Sequence, residues 1–308
     1  MISTTIDLQP AVCGKEIDTT FQPYISPSRI GLWMRCPRAF ELRYVEGIRS
    51  PVSPSLFLGK VVHAALETYY RHLQLGLELA GDEIDDAVES AWDDQMRDEL
   101  LHADHEKLDK LKAQAHALVA RYAESYRGVC EKVIATETPI CAPLVDPETG
   151  ENLGMNLYGI IDLILQEQSG DMPGSSQMNT AGDQRERTTS IRAGARSGCG
   201  PCRVVDFKTS AQASQRCELQ HELQLTGYAY LVGRITGGEN PLLEIRQLVK
   251  TKTPKIVGHC YAPRTEKHFR RFFGIVREFL DALDSGKFNP RPGFGCGMCD
   301  MQHECLGG

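Results

Sequence analysis

The stretch RVVDFKTS, residues 203–210, combines the pattern of a buried strand with two charged side chains. Arg203 to Val205 are strand-like, and Asp206 and Lys208 follow with one residue between them. Because strand side chains alternate between the two faces of a sheet, Asp206 and Lys208 lie on the same face. A carboxylate is costly to bury without a partner. The stretch therefore predicts a charged pair at the end of a core strand.

A second strand-like stretch, GIIDLIL at 159–165, places Asp162 among apolar residues. Two carboxylates on neighbouring strands repel each other unless they share a cation, and Mg²⁺ or Mn²⁺ is bound by such oxygen ligands. Lys208 beside the metal could orient or deprotonate an attacking water and stabilise charge on a phosphate. Either aspartate alone is as well explained by a surface ion pair. Asp162, Asp206 and Lys208 together predict a metal site.

Two predicted helices carry further candidate residues. His63 lies in GKVVHAALE (59–67), and it is either a core histidine with one hydrogen bond or a third metal ligand. Gln224 and Tyr228 are four residues apart in an amphipathic pattern, so they share one helix face. They are either the polar edge of that helix or groups that reach the site and touch substrate phosphate or Lys208.

The sequence contains eleven cysteines, which in a reducing compartment indicate metal or cluster ligands rather than disulfides. The stretch CGMCDMQHEC near the C-terminus carries Cys296, Cys299 and Cys305. Zinc would take a fourth ligand such as His303, whereas an iron–sulfur cluster needs a fourth cysteine, for which Cys36 is a candidate. The pair Cys199 and Cys202 has no second pair nearby, and we assign it no function.

Composition and charge limit the class of protein. The net charge of −7 argues against non-specific wrapping by nucleic acid, but it leaves room for a local basic groove. Basic clusters occur in VKTKTPK (249–255) and KHFRRFF (267–273). No stretch approaches the roughly 20 apolar residues of a membrane span. The first residues lack the pattern of a signal peptide, so we expect a cytoplasmic protein without membrane contact.

The periodicities predict helices, three strands, a helix, a strand, a helix and a cysteine-rich tail, in that order. This order is typical of an α/β protein with a mixed sheet. The predicted organisation comprises a flexible tail (1–25), a single domain (26–308), a helical insertion (77–128), a disordered loop insertion (168–202) and the cysteine-rich segment (287–308).

These motifs, in this order, resemble those of the PD-(D/E)XK nuclease superfamily. The stretches that carry the resemblance are LWMRCPRAFELRYVEG, LGKVVHAALE, GIIDLIL, VVDFKTS, QLTGYAYL and CGMCDMQHEC. Within the superfamily the chain is similar to RecB-like exonucleases with a C-terminal iron–sulfur clasp, including AddB-type recombination nucleases and CRISPR-adaptation Fe–S nucleases. The resemblance covers 26–76 and 131–308. It implies a restriction-endonuclease-like core, with a mixed central sheet flanked by helices.

The resemblance also implies roles for individual residues. His63, Asp162 and Asp206 match the metal-binding positions, Lys208 matches the catalytic lysine, and Gln224 with Tyr228 match the QxxxY motif of the catalytic site. The four cysteines implied to bind a [4Fe–4S] cluster are Cys36, Cys296, Cys299 and Cys305. That set ties the first helix to the last residues. Many relatives have glutamate where this chain has Asp206. The aspartate side chain is shorter, which changes how far its carboxylate extends toward the metal.

The resemblance predicts a Mg²⁺- or Mn²⁺-dependent deoxyribonuclease, acting as an exonuclease on single-stranded ends. DNA repair, recombination, phage replication and CRISPR adaptation are all open as its setting. No GxxxxGK[ST] motif occurs, so unwinding would come from a helicase or another partner protein. One alternative is a catalytically inactive module that binds DNA ends or supports a complex. Another is a zinc-stapled protein with no role on DNA.

Overall fold

The computed structural model describes residues 24–98, 105–129, 131–167, 202–214 and 217–307. In chain order the elements are β1 (Tyr24–Ile25), α1 (Pro27–Arg35), α2 (Pro37–Phe40), a π-helical turn (Glu41–Val45), α3 (Pro54–Gln74), α4 (Asp82–Asp98), α5 (His105–Tyr126), β2 (Lys132–Val145), β3 (Asn152–Gln166), β4 (Cys202–Ser210), α6 (Cys217–Ile235), β5 (Leu242–Val249), β6 (Lys255–Tyr261), α7 (Glu266–Ser285), a 3₁₀ turn (Phe294–Met298) and α8 (Gln302–Cys305). Within the described ranges, no helix has both the length and the apolar character needed to span a membrane.

Local sequence signals set the ends of several helices. The Ser26 hydroxyl accepts a hydrogen bond from the Arg29 N–H at 3.3 Å, and the Ser53 hydroxyl accepts one from the Leu56 N–H at 3.3 Å. These contacts satisfy backbone donors that have no partner in the first turns of α1 and α3. α7 ends at Gly286, whose φ of 61° suits glycine at a helix C-terminus.

The strands form one mixed sheet in the order β1-β3-β4-β5-β6, with β2 paired to β3. β1 runs parallel to β3, and β4 runs parallel to β5. The β2–β3, β3–β4 and β5–β6 pairs are antiparallel. This arrangement confirms the predicted mixed sheet flanked by helices, and it places β4, which contains RVVDFKTS, in the middle.

Each face of the sheet is covered by helices. On one face, α1, α2, α6 and α7 bury an aromatic cluster in which the Trp33 and Phe279 rings meet edge to face at 5.5 Å. On the other face, α3 packs against α4 and α5, and the Phe57 and Trp92 rings meet at 5.1 Å. The helices of 77–128 therefore share a core with α3 and with the sheet.

The structure corrects the strand prediction at two places. Tyr24–Ile25, the end of the predicted tail, form β1 beside β3, and a strand of two residues has no detectable periodicity. β6 was not predicted. It is an edge strand that, among the described strands, pairs with β5 alone, and its polar residues do not give the apolar pattern that predicts a strand. Residues 1–23 and 168–201 lie outside the described residues. Cys202, the last residue of the predicted loop insertion, is the first residue of β4.

Candidate metal and active site

Strand register brings three carboxylates into one row. The pairing of β3 with β4 ends at Leu163 and Val205, so Asp206 follows directly opposite Asp162. On the other side of β3, residues 136 and 138 of β2 pair with residues 163 and 161, which sets Glu137 opposite Asp162. The row Glu137–Asp162–Asp206 therefore crosses three neighbouring strands where β3 and β4 separate.

α3 adds an imidazole to this row. His63 Nδ1 lies 3.4 Å from Asp162 Oδ1 and 3.9 Å from Glu137 Oε1. One ligand atom from each of these three residues lies within 4.8 Å of the other two, and no other such group occurs in the part of the chain that the structure describes. Carboxylate oxygens with one imidazole nitrogen suit Mg²⁺ or Mn²⁺. The donor set therefore fits a divalent cation.

Glu137 was absent from the predicted site. The stretch EKVIATET (131–138) has the alternating pattern of a strand, and that pattern indicates no function for its acidic residues. Glu137 has a φ of 41°, a strained value for a residue with a side chain, and such strain is common at functional sites. Burial raises the pKa of Glu137 to about 7, and the charge of Asp162 adds to this effect. No sequence pattern distinguishes Glu137 from other acidic residues. Its place beside Asp162 follows from the register of β2 with β3.

Asp206 is buried and held from two sides. The Lys208 ammonium lies 2.6 Å from Asp206 Oδ2. Gln224 Nε2, on α6, donates hydrogen bonds to Asp206 Oδ1 at 3.0 Å and to the Tyr228 hydroxyl at 2.8 Å. The structure thus places Gln224 directly against Asp206, with Tyr228 one helical turn behind.

The environment separates the pKa values of the two aspartates. Burial raises the pKa of Asp206 to about 6, with Asp162 adding to the effect and Lys208 opposing it. Burial also acts to raise the pKa of Asp162, but the charges of His63 and Lys208 and a 2.7 Å hydrogen bond from the Phe207 N–H outweigh it and lower this pKa. Without a cation, the row therefore retains protons near neutral pH.

An open cleft of about 810 Å³ leads to these residues. The side chains that line it near the site are His63, Glu137 and Lys208. Gly59 lies in its wall, where a Cβ atom would come within 3.3 Å of Thr209 Oγ1. Gln95 of α4 also lines the cleft, so the helical insertion contributes to the wall.

The cysteine-rich tail packs against the start of the chain. Arg43 forms an ion pair with Asp300, and the Ser50 hydroxyl donates to the Asp300 carbonyl at 2.9 Å. Met301 is buried, and the Arg291 guanidinium lies over the Trp33 ring. The tail therefore contacts α1 and the π-helical turn.

Two of the predicted cluster ligands accept hydrogen bonds from backbone N–H groups. The Arg291 N–H points at Cys36 Sγ at 3.5 Å, and the Gly293 N–H points at Cys296 Sγ at 3.4 Å. Cys36 and Cys299 are half-buried, while Cys296 and Cys305 are exposed. Among the described residues, no three of the cysteine sulfurs lie within 4.8 Å of one another. Cys199 lies outside the described residues, so its pairing with Cys202 is not seen.

Comparison with known proteins gives one family match. The family model of the PD-(D/E)XK nuclease superfamily matches residues 24–172 and 195–306. A solved structure from Eubacterium rectale, provisionally described as an exonuclease, is 13% identical, and the alignment covers 92% of this chain and 88% of that chain with a TM-score of 0.49. A second structure, of SSO0001, is 14% identical, with 93% and 87% covered and a TM-score of 0.39. No curated protein matches.

Proposed function

Because the chain belongs to the PD-(D/E)XK nuclease superfamily, whose members hydrolyse phosphodiester bonds with divalent metals, we propose that it is a Mg²⁺- or Mn²⁺-dependent deoxyribonuclease that acts as an exonuclease on single-stranded ends. The observation that carries the proposal is the row of Glu137, Asp162 and Asp206, with His63 and Lys208, beside a cleft that His63, Glu137 and Lys208 line. Three buried or half-buried carboxylates repel one another unless a cation lies between them.

In this proposal, His63, Glu137 and Asp162 hold the metal, with Asp206 beside it at the end of the row. A bound divalent metal would lower the pKa of a coordinated water and draw charge from the scissile phosphate. The Phe207 N–H fixes Asp162 by its 2.7 Å hydrogen bond. The carboxylates are therefore oriented before substrate arrives.

Lys208 and α6 complete the proposed machinery. The Lys208 ammonium, held 2.6 Å from Asp206, faces the cleft and can stabilise charge on a phosphate oxygen. Gln224 fixes Asp206 Oδ1, and Tyr228 fixes Gln224 in turn. Gln224 and Tyr228 act in this scheme by positioning Asp206.

The test is cleavage of end-labelled single- and double-stranded DNA in the presence of Mn²⁺. We expect Asp206→Ala and Lys208→Ala to abolish cleavage, because each removes a charge from the site. Lys110→Ala, which changes an exposed lysine on α5, is the control and should cleave as wild type does. Retained cleavage in both site variants would contradict the assignment. Binding of DNA ends without cleavage by the wild type would favour the inactive-module alternative.

We further propose that Cys36, Cys296, Cys299 and Cys305 bind a structural [4Fe–4S] cluster. Two features support this: the tail packs against α1, and two backbone N–H groups point at the sulfurs, as they do around such clusters. Three thiolates on a single zinc ion, each about 2.3 Å from it, would lie closer together than any three of these sulfurs do. The test is iron and sulfide analysis of anaerobically purified protein, with zinc as the competing result.

A further inference from the structure

The two basic clusters of the sequence have different surroundings. In KHFRRFF (267–273), on α7, Arg270 Nε lies 2.8 Å from a Glu148 oxygen, and Arg271 Nη1 lies 2.6 Å from a Glu222 oxygen. The arginine charges of this cluster are therefore paired within the fold. The cluster also lies on the sheet face opposite α3. It offers little net charge to a polyanion and is remote from the site.

The other cluster, VKTKTPK (249–255), forms the turn between β5 and β6. Lys250 Nζ donates a 2.8 Å hydrogen bond to the Ser55 hydroxyl in the first turn of α3. Taking the described residues alone, no carboxylate lies within 4.0 Å of the ammonium of Lys250 or Lys252. The turn therefore carries two positive charges that the described part of the fold does not neutralise.

α3 connects this turn to the proposed metal site. Ser55 precedes His63 by eight residues, which corresponds to about 12 Å along a helix. Lys60 lies between them and lines the same cleft. On the far side of His63 the cleft is lined by Glu67, which is paired with Arg71. At the end nearer the turn the cleft is lined by the Ser53 and Ser55 hydroxyls, and Ser55 contacts Lys250 of the turn.

We propose that the β5–β6 turn and the start of α3 form a phosphate-binding surface that holds a DNA strand on one side of the scissile bond. The inference rests on the proposed nuclease function and adds the path that the DNA strand follows away from the metal site. From the metal site the strand runs past Lys60 and Ser55 to Lys250 and Lys252. Such one-sided binding lets a strand be cut near its end, because contacts beyond the cut are not needed.

The experiment compares two double variants with the same change of charge. Lys250→Gln/Lys252→Gln alters the turn, and Lys267→Gln/Lys287→Gln alters exposed lysines at the two ends of α7. Binding of a fluorescein-labelled single-stranded oligodeoxynucleotide is followed by fluorescence anisotropy over a series of salt concentrations, in EDTA so that no hydrolysis occurs. We expect the turn variant to bind about tenfold more weakly, with a salt slope reduced by about 1.4, since each phosphate contact contributes about 0.7 on single strands. The α7 variant should bind as wild type does.

Equal losses in the two variants would overturn the inference, because they would show an effect of net charge alone. Unchanged binding by the turn variant would overturn it as well. A Mn²⁺ cleavage assay on the wild type separates this inference from the nuclease proposal. If the wild type cleaves DNA while the turn variant binds normally, only the phosphate-binding surface is wrong. If the wild type neither cleaves nor binds, both proposals fail.

Discussion

The Asp206 carboxylate is buried beside Asp162, and its negative charge costs stability in the absence of metal. Burial raises its pKa in the folded protein to about 6, so its protonated form contributes stability at low pH that is lost as the pH rises through about 6. At pH 8 the metal-free protein therefore carries an unfavourable charge. Asp206→Asn removes that charge while it keeps the shape of the side chain.

We expect Asp206→Asn to abolish cleavage and to stabilise the metal-free protein at pH 8 by up to about 3 kcal/mol, the free energy that corresponds to raising the pKa of this carboxyl from 3.8 to about 6. Urea unfolding at pH 8 and at pH 4 measures this effect, and the gain should nearly disappear at pH 4. A variant that is less stable than wild type at pH 8 would show that the pair with Lys208 outweighs burial.

Glu137 is the site residue whose importance is least evident from chemistry alone. Its oxygen lies within 4.8 Å of ligand atoms of His63 and Asp162, so it should hold part of the metal charge. We expect Glu137→Gln to raise the Mn²⁺ concentration for half-maximal cleavage by at least about tenfold. Glu67→Gln is the matched control, because it makes the same change in the same cleft outside the trio. Equal effects of the two substitutions would mean that Glu137 is only one of several charges in the cleft.

Asp162, Asp206 and Lys208 could be predicted because each interrupts an apolar run, where a charged residue needs a reason. Glu137 could not be predicted in the same way. It follows a stretch in which polar and apolar residues already alternate, so its acidic side chain breaks no pattern. Its place beside Asp162 follows from strand register, which depends on the pairing of β2 with β3 along their whole length.

At the scale of elements, the long helices could be predicted well, since caps and periodicity agree. The helix predicted around GKVVHAALE (59–67) is α3, which spans Pro54–Gln74, and Val61, Val62, Ala65 and Leu66 of that stretch are buried. β1 and β6 were not predicted, because strands at the edge of a sheet depend on pairing with a neighbouring strand more than on a local sequence pattern. The sequence also did not indicate how α5 is joined to β5, since that contact pairs residues far apart in the chain.

That junction is a buried network around Arg246 of β5. Arg246 is 1% exposed, and its Nε lies 2.9 Å from a Glu244 oxygen. Its Nη1 donates to the hydroxyls of Tyr70 on α3 and Tyr122 on α5, at 2.7 and 2.8 Å. Glu131, before β2, also pairs with it. One guanidinium thus links two helices to the sheet, on the face that carries His63.

We expect Arg246→Met to destabilise the protein by about 3 to 5 kcal/mol, because it leaves Glu131 without its cationic partner and the buried Glu244 with Arg203 alone. The control is Arg121→Met on α5, whose exposed ion pair with Glu124 should contribute less than about 1 kcal/mol. Urea unfolding curves give both values. Similar small losses in the two variants would show that the network tolerates removal of its central charge.

At the scale of the whole molecule, the tail connects the end of the described chain to its beginning. Arg43 and Ser50 contact Asp300, and Met301 is buried although its neighbours are exposed. Few apolar side chains support these contacts, so the tail has little hydrophobic burial to offset the entropy of ordering. A bound cluster that joins Cys36 to the tail would supply the missing stability.

We expect Cys299→Ser to lose iron, sulfide and soluble protein together, because a tail without its cluster would detach from α1. Cys260→Ser is the control, since Cys260 is exposed on β6 and outside the proposed ligand set. Asp206→Ala should keep wild-type iron content, which separates the cluster from the catalytic site. Iron and sulfide content, visible absorbance and melting temperature are measured on anaerobically purified proteins. Full iron content and stability in Cys299→Ser would exclude Cys299 as a ligand, and zinc in the wild type would replace the cluster by a zinc site.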